Sequence, residues 1–290
     1  MSEKTCLITG GTSGLGKATA LALAELGYRV IVLGRDAKKL EKTRREIVSK
    51  TGNQAIEACR CDLSLLADVR SAAETLRGAY ERLDVLVNNA GARFARYGLT
   101  REGIELTLAT NHLGPFVLTL SLIGLLEKAG EARIVNVSSG THRAAKGVIK
   151  NVKAASGYDG RRQYAESKLA NILFTRALSA KLSDTGITVN SVDPGGVATN
   201  FARNNGLLHW LKHRLYYLGK GELLSPARGA ETIVFLASSD EVRGVTGKHF
   251  YNCKAVASSE RSRDKPLQED LWNLSARLSS IDFQVADHER

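Results

Sequence analysis

The sequence predicts an α/β fold: one domain built on a doubly wound, mostly parallel sheet. Three observations point there. Short runs rich in β-branched residues alternate with longer runs of helical length, a glycine cluster separates the first strand-like run from the first helix-like run, and no Pro/Ser-rich linker or internal repeat interrupts the alternation. At 290 residues the chain could be one large domain or two small ones. With no linker in the alternation, one domain fits best.

The first strand, Thr5–Thr9, runs into Thr9-Gly10-Gly11-Thr12-Ser13-Gly14-Leu15-Gly16, which opens a helix over Lys17–Leu26. Gly10, Gly14 and Gly16 suit a tight turn, a close approach of backbone to phosphate and close helix–strand packing, and the helix N-terminus is then placed to hold a pyrophosphate. Between strand and helix the segment, with Thr12, Ser13 and Leu15 among its glycines, reads as a dinucleotide cradle of Rossmann type. The second strand, Arg29–Leu33, ends in Gly34-Arg35-Asp36. An acidic residue at that strand end would bind the ribose 2′-hydroxyl of NAD, whereas Arg35 favours the 2′-phosphate of NADP, with Ser13 adding a hydroxyl. The competing structural reading pairs Arg35 with Asp36 or Asp62. The helix that follows, Lys38–Ser49, is strongly basic, with Glu41 and Glu46 as internal partners on a solvated face.

A third strand, Ala55–Cys59, leads to Cys61-Asp62-Leu63 and a helix over Leu66–Tyr80. The fourth, Val85–Val87, is followed by Asn88-Asn89-Ala90-Gly91, and a helix runs over Asn111–Lys128. Asn111 could be its N-cap. The fifth strand, Arg133–Val137, ends in Ser138-Ser139, which could simply cap it. A polar loop, Gly140–Arg162, precedes a helix over Tyr164–Leu182. The sixth strand, Thr188–Val192, ends in Asp193-Pro194-Gly195. Asn200–Leu224 mixes Trp210, Tyr216 and Tyr217 with Arg203, Lys212, Arg214 and Lys220 and breaks the alternation. We therefore expect a domain over residues 1–253 that includes a substrate lid at 200–224. A C-terminal extension over 254–290 then carries one amphipathic helix around Leu267–Leu278.

Tyr164 and Lys168 stand four residues apart, on one face of their helix. A phenol has a pKa of about 10 in isolation, and a neighbouring ammonium favours its ionised form. The pair can therefore exchange a proton with a substrate oxygen near neutral pH. The plain alternative is a half-buried ring beside a solvated amine.

Composition narrows the class. Hydrophobic residues make up 43% and charged residues 24%, which fits an ordinary globular core. No apolar run reaches the roughly 18 residues of a membrane span. Met1-Ser2-Glu3-Lys4 leads directly into the first strand and leaves no room for a signal peptide. Cys6, Cys59, Cys61 and Cys253 have neither zinc spacing nor a disulfide framework, so they read as reduced thiols of a cytoplasmic protein, and no metal site is expected. The net charge of +11 suits attraction of an anionic cofactor; no motif supports nucleic-acid binding.

Over about residues 4–253 the chain resembles the short-chain dehydrogenase/reductase family. The resemblance rests on the ordered motifs Thr9–Gly16, Cys61-Asp62-Leu63, Asn88–Gly91, Asn111, Val137-Ser138-Ser139, Tyr164–Lys168, and Asp193-Pro194-Gly195 with Thr199. It implies that Tyr164 is the acid/base, Lys168 its activator and a ribose anchor, and Ser139 the hydroxyl that holds the carbonyl oxygen. Asn111 would hold a water in a relay to Lys168. The resemblance also implies that Asp62 meets the adenine amino group beside Leu63, that Asn89, Ala90 and Gly91 pack under the adenosine ribose, and that Pro194, Gly195, Val197 and Thr199 lie against the nicotinamide carboxamide. Ser167–Thr175, the long gap from Ser139 to Tyr164, Gly247–Cys253 and Leu271–Ser275 look like the retinol dehydrogenase-like branch. Asp193 departs from it, standing where many of that branch have a histidine, and the N-terminal anchor of several animal members is absent.

Together these expectations describe an oxidoreductase that moves a hydride between NADP(H) and a carbonyl/alcohol pair of a lipophilic or aromatic small molecule. Alternatives are a ketone or quinone reductase of secondary metabolism and, from another class, a non-catalytic NADP-sensing regulator. Leu207, Leu208, Trp210, Leu211, Leu215, Tyr216 and Leu218 of the lid are expected to clasp substrate. Their competing uses are packing on the body, a contact in a homo-oligomer, or peripheral membrane binding.

Overall fold

In the computed structural model, residues 3–151, 154–197 and 223–281 are described. Their strands form a single sheet of eight, in the order β3-β2-β1-β4-β5-β6-β7-β8. The strands are β1 (Thr5–Thr9), β2 (Arg29–Gly34), β3 (Ile56–Arg60), β4 (Val85–Asn88), β5 (Arg133–Val137), β6 (Thr188–Val192), β7 (His249–Tyr251) and β8 (Lys254–Val256). All neighbouring pairs are parallel except β7–β8. This is the expected Rossmann-type fold.

The strand pattern sends alternate side chains into two cores. On one face Cys6, Ile8, Val30, Val32, Val85 and Val87 pack against α1 (Gly14–Glu25), α2 (Ala37–Thr51) and α8 (Pro226–Ser238). On the other, Leu7, Ile31, Leu33, Leu86 and Ile134 meet α3 (Leu66–Ala79), α5 (Gly114–Ser121) and α7 (Gly160–Lys181). A sheet buried on both faces explains why β1 is apolar without alternation.

Several boundaries move from their sequence-predicted places, each for a local reason. Helix α7 starts a turn before Tyr164 because Asp159 caps it, accepting from the amides of Arg161 and Arg162. The helix expected from Asn111 starts earlier. Glu105 caps a short α4 (Leu106–Leu108), and a π-helical turn (Ala109–Leu113) carries Asn111 into α5, so Asn111 is not an N-cap. Strands β7 and β8 and helix α8 have no counterpart in the sequence reading, although Ser225-Pro226 shows the cap-then-proline signature and Ser225 Oγ accepts from the amide of Arg228. Helix α9 (Lys265–Ser279) corresponds to the amphipathic run in the tail; its Leu271 is buried and its Trp272 meets Phe116 and Phe174 edge-on or tilted.

The strand order reverses direction between β1 and β4, and the carboxyl ends of the parallel strands open on one edge. That reversal is where an open α/β sheet forms its crevice. Asn88 and Asn136, paired in register on β4 and β5, are buried there and hydrogen-bonded to each other at 2.8 Å. Asn88 is thus the last residue of β4, one beyond the strand end read from the sequence. Among the described residues no helix is long and apolar enough to cross a membrane, and no group of three or more metal-ligating side chains occurs.

Candidate active site

A cleft of about 1820 Å³ runs along the carboxyl edge of the sheet. Gly10, Thr12, Ser13, Gly14, Leu15, Gly16, Arg35, Asp62, Leu63, Asn89, Ala90, Gly91, Ser139, Tyr164, Lys168, Pro194, Gly195 and Val197 all line it. Thr199 and lid residues 200–222, with every lid side chain expected to clasp substrate, lie outside the described residues.

At one end the backbone itself forms the wall. Gly10 turns with φ +66°, and a Cβ on Gly16 would come within 2.4 Å of Asn89 Nδ2 and 2.5 Å of the Gly10 carbonyl. Only glycine permits this approach. Asn89 Nδ2 donates to the Thr9 carbonyl at 2.8 Å, while Thr9 Oγ1 accepts from the amides of Asn89 and Ala90. Asn89 therefore ties the end of β4 to the glycine turn. Ser13, the N-cap of α1, makes no side-chain cap bond, and the first turn of α1 holds no acidic residue. The site presents helix amides and a positive dipole end to an anion.

Arg35 and Asp36 diverge. Asp36 caps α2, accepting from Lys39 N at 3.1 Å and lying 3.8 Å from Lys39 Nζ. Asp62 accepts from the amide and hydroxyl of Ser64. Arg35 has no hydrogen bond or ion pair among the described residues and faces the cleft with Lys17, Lys39 and Lys42. The competing pairing with Asp36 or Asp62 is absent. Along the rest of α2, Arg44 and Arg45 pair with Glu41, and Lys17 of α1 pairs with Glu46.

At the other end Lys168 is 3% exposed, with Nζ 3.0 Å from the Val137 carbonyl and 5.6 Å from the centre of the Tyr164 ring. Burial pushes its pKa down to about 8, and the Asp193 carboxylate acts the other way. A Cβ on Gly91 would sit 3.1 Å from Lys168 Nζ and 3.7 Å from Asn111 Oδ1, so these three residues converge. The π turn lets Asn111 clamp both backbone groups of Ala92, accepting from its amide at 2.8 Å and donating to its carbonyl at 2.9 Å.

The two serines after β5 separate. Ser138 is buried, and its hydroxyl donates to the Lys168 carbonyl at 2.7 Å. Ser139 Oγ accepts from Thr141 N at 3.3 Å, which leaves its proton for a ligand in the cleft. Asp193 Oδ1 accepts from Gly195 N at 3.0 Å and so shapes the Pro194–Gly195 turn.

Three features of the site involve residues that the sequence reading gave no individual role. Thr110 and Thr141 line the cleft with buried hydroxyls that have no partner among the described residues. Glu105, fully buried, accepts from Tyr158 OH at 3.0 Å, and Tyr158 also donates to the Phe94 carbonyl, which holds the loop beside the cleft. His142 bonds the backbone of Ser139. A histidine three residues beyond a candidate serine was the available signal for the last.

Known proteins share this arrangement of sheet and motifs. A family model described as short chain dehydrogenase matches residues 4–207. The chain is 36% identical to mouse retinol dehydrogenase 12, over 97% of this chain and 88% of that protein. It is 38% identical to human retinol dehydrogenase 14, over 95% and 86%. Among solved structures, an uncharacterized protein from Mycobacterium paratuberculosis superposes with a TM-score of 0.77 at 30% identity, covering 98% of this chain and 96% of that one. An actinorhodin polyketide ketoreductase variant with NADPH superposes with a TM-score of 0.67 at 28% identity, covering 86% and 95%. The chain belongs to the short-chain dehydrogenase/reductase family, in its retinol dehydrogenase-like branch, and is an oxidoreductase of the kind that uses a nicotinamide cofactor.

Proposed function

We propose that the protein is an NADP(H)-dependent oxidoreductase that interconverts a carbonyl and an alcohol on a lipophilic or aromatic small molecule, in the cytoplasm. The observation that carries the cofactor choice is Arg35, without a partner among the described residues at the end of β2 while Asp36 caps the next helix. A free guanidinium there suits a 2′-phosphate, and a carboxylate turned away cannot claim a 2′-hydroxyl. The Gly10–Gly16 cradle and the open start of α1 fit the pyrophosphate. The retinol dehydrogenase relatives, and the NADPH held by the ketoreductase, support the same reading.

The cofactor, when bound, supplies or accepts the hydride. The chain's own residues then do the rest. Ser139 donates a hydrogen bond from its hydroxyl to the substrate oxygen as charge develops there. Tyr164 gives that oxygen a proton in reduction and takes it back in oxidation. Lys168, held under Val137, keeps a positive charge beside the phenol and favours its ionised form. Asn111, brought beside Gly91 and Lys168, is assigned the water of a relay to Lys168. Phe94 and Leu106 give the substrate end apolar walls.

Steady-state turnover of a panel of lipophilic aldehydes and ketones with NADPH and with NADH tests the proposal. Turnover of none, with either cofactor bound, would return the chain to the reading of an NADP-binding regulator.

A further inference from the structure

We propose that His142 is a positioning residue for Ser139 and that Ser259, from the C-terminal part of the chain, fixes the tautomer in which it acts; this rests on the hydride-transfer reading above. The Ser139 carbonyl receives two bonds from one residue, His142 N at 3.0 Å and His142 Nδ1 at 2.7 Å. A carbonyl can only accept, so Nδ1 carries the proton. Ser259 N donates to Nε2 at 3.2 Å, so Nε2 is bare. Both ring nitrogens are thereby assigned, and the imidazole is neutral.

The surroundings agree with that state. The ring is 1% exposed and meets His249 edge-on, with centroids 5.1 Å apart. Burial and Arg143 push its pKa down, against the Ser139 bond and Asp193. His249, itself neutral through burial, places no charge on the other side. A second proton would also set Nε2–H against the Ser259 N–H.

The consequence falls on Ser139. Its carbonyl lies in the planar Ser139–Gly140 peptide. Gly140 is crowded by Asp193, whose Oδ2 lies 2.9 Å from where a Cβ would stand. With the peptide held by His142 and packed on Asp193, the Ser139 Cα–Cβ bond has one direction, towards the cleft. Ser139 is extended at φ −170° and would otherwise be free to swing with its turn. A catalytic hydroxyl needs this kind of support, because a displacement of about 1 Å can lower a rate roughly 100-fold.

The test compares His142→Phe, which keeps a ring against His249 but loses the donor, with His142→Asn, whose amide nitrogen takes the place of Nδ1. Both are made alone and in a Ser139→Ala background, with kcat, KM, NADPH Kd and melting temperature measured. The expected result for His142→Phe is a roughly 10- to 100-fold fall in kcat with unchanged NADPH Kd, largely recovered in His142→Asn and absent when Ser139 is already alanine. If the Phe variant does not fold, His142→Gln replaces it, since its amide reproduces Nε2 instead of Nδ1 and should remain impaired where Asn is active. Nitrogen chemical shifts of the wild-type imidazole should report the Nδ1–H neutral tautomer at pH 7. A wild-type kcat in the donor-less variant, the same fold-loss with and without Ser139, or an Nε2–H or cationic ring would overturn the positioning role while leaving the oxidoreductase reading intact. Absence of turnover by the wild type with every carbonyl compound would overturn both.

Discussion

Lys168 and Asn171, one turn apart on α7, donate to the same oxygen, the carbonyl of Val137, each at 3.0 Å. Both lone pairs of that carbonyl are therefore in use, and the lysine is tethered below the floor of the cleft with its remaining protons facing Gly91. A buried ammonium with a neutral partner is unfavourable in the cofactor-free protein.

This gives a signed stability prediction. The folded pKa of Lys168, about 8, lies below its ordinary value of 10.5. Between those values the unfolded chain binds the extra proton, so stability rises with pH through that window, and below about pH 8 the full penalty is present. Lys168→Met should therefore make the cofactor-free protein more stable at pH 7, by a few kcal/mol at most. The gain should shrink towards pH 10.5. Urea unfolding of both proteins across that range checks it; a gain that grows with pH contradicts the assignment.

Asp193 supplies the opposing charge. Its removal in Asp193→Asn should lower the Lys168 pKa further below about 8. If the lysine cation is needed for turnover, the alkaline limb of kcat/KM shifts to lower pH in the variant. An unmoved limb would mean that another group sets it.

Tyr164→Phe should bind NADPH normally and lose roughly 10²- to 10⁴-fold in kcat, the range typical of general acid–base groups. Stopped-flow turnover with a saturating carbonyl substrate decides the point, and near wild-type rates would exclude Tyr164 as the proton donor.

Arg35→Ala should weaken NADPH by about tenfold or more, the loss of a charged hydrogen bond, and leave NADH unchanged. Fluorescence titration of both cofactors measures this. Equal affinity of the wild-type protein for the two would remove Arg35 from cofactor selection.

The sheet and the cleft were legible because their signals are local. Buried parallel strands must be apolar, as Cys6-Leu7-Ile8 shows, and the glycine turn announces itself by spacing. The direction of Asp36 was not legible, since capping α2 through Lys39 N and binding a ribose are both uses of one carboxylate. The π turn at Asn111 was hidden for a similar reason. It goes with Asn111's grip on Ala92, a residue 19 positions away that no periodicity reports. The short β7 and β8 give no readable signal because three residues carry too little pattern; the turn that joins them, Asn252 and Cys253, has positive φ. Ser138 and Ser139 are indistinguishable by type; only the Lys168 carbonyl separates them.

The contacts of residues 259–279 bear on the order of events during synthesis. Ser259 reaches His142, and Ser275 meets His112 at 2.7 Å, directly beside Asn111. Ser275 donates its own proton to the Leu271 carbonyl, so His112 is the donor to Ser275 and is held neutral. As the chain leaves the ribosome, β1 to β6 emerge long before these partners do. Phe116 and Phe174, which Trp272 meets in the finished molecule, lack that contact in that interval. The nascent chain is then an apolar surface waiting for its cover, the state in which chaperones bind and aggregation starts. A chain stalled before residue 259 would display most of the sheet, yet His112 and His142 would lack the partners that hold the loops around Ser139 and Asn111.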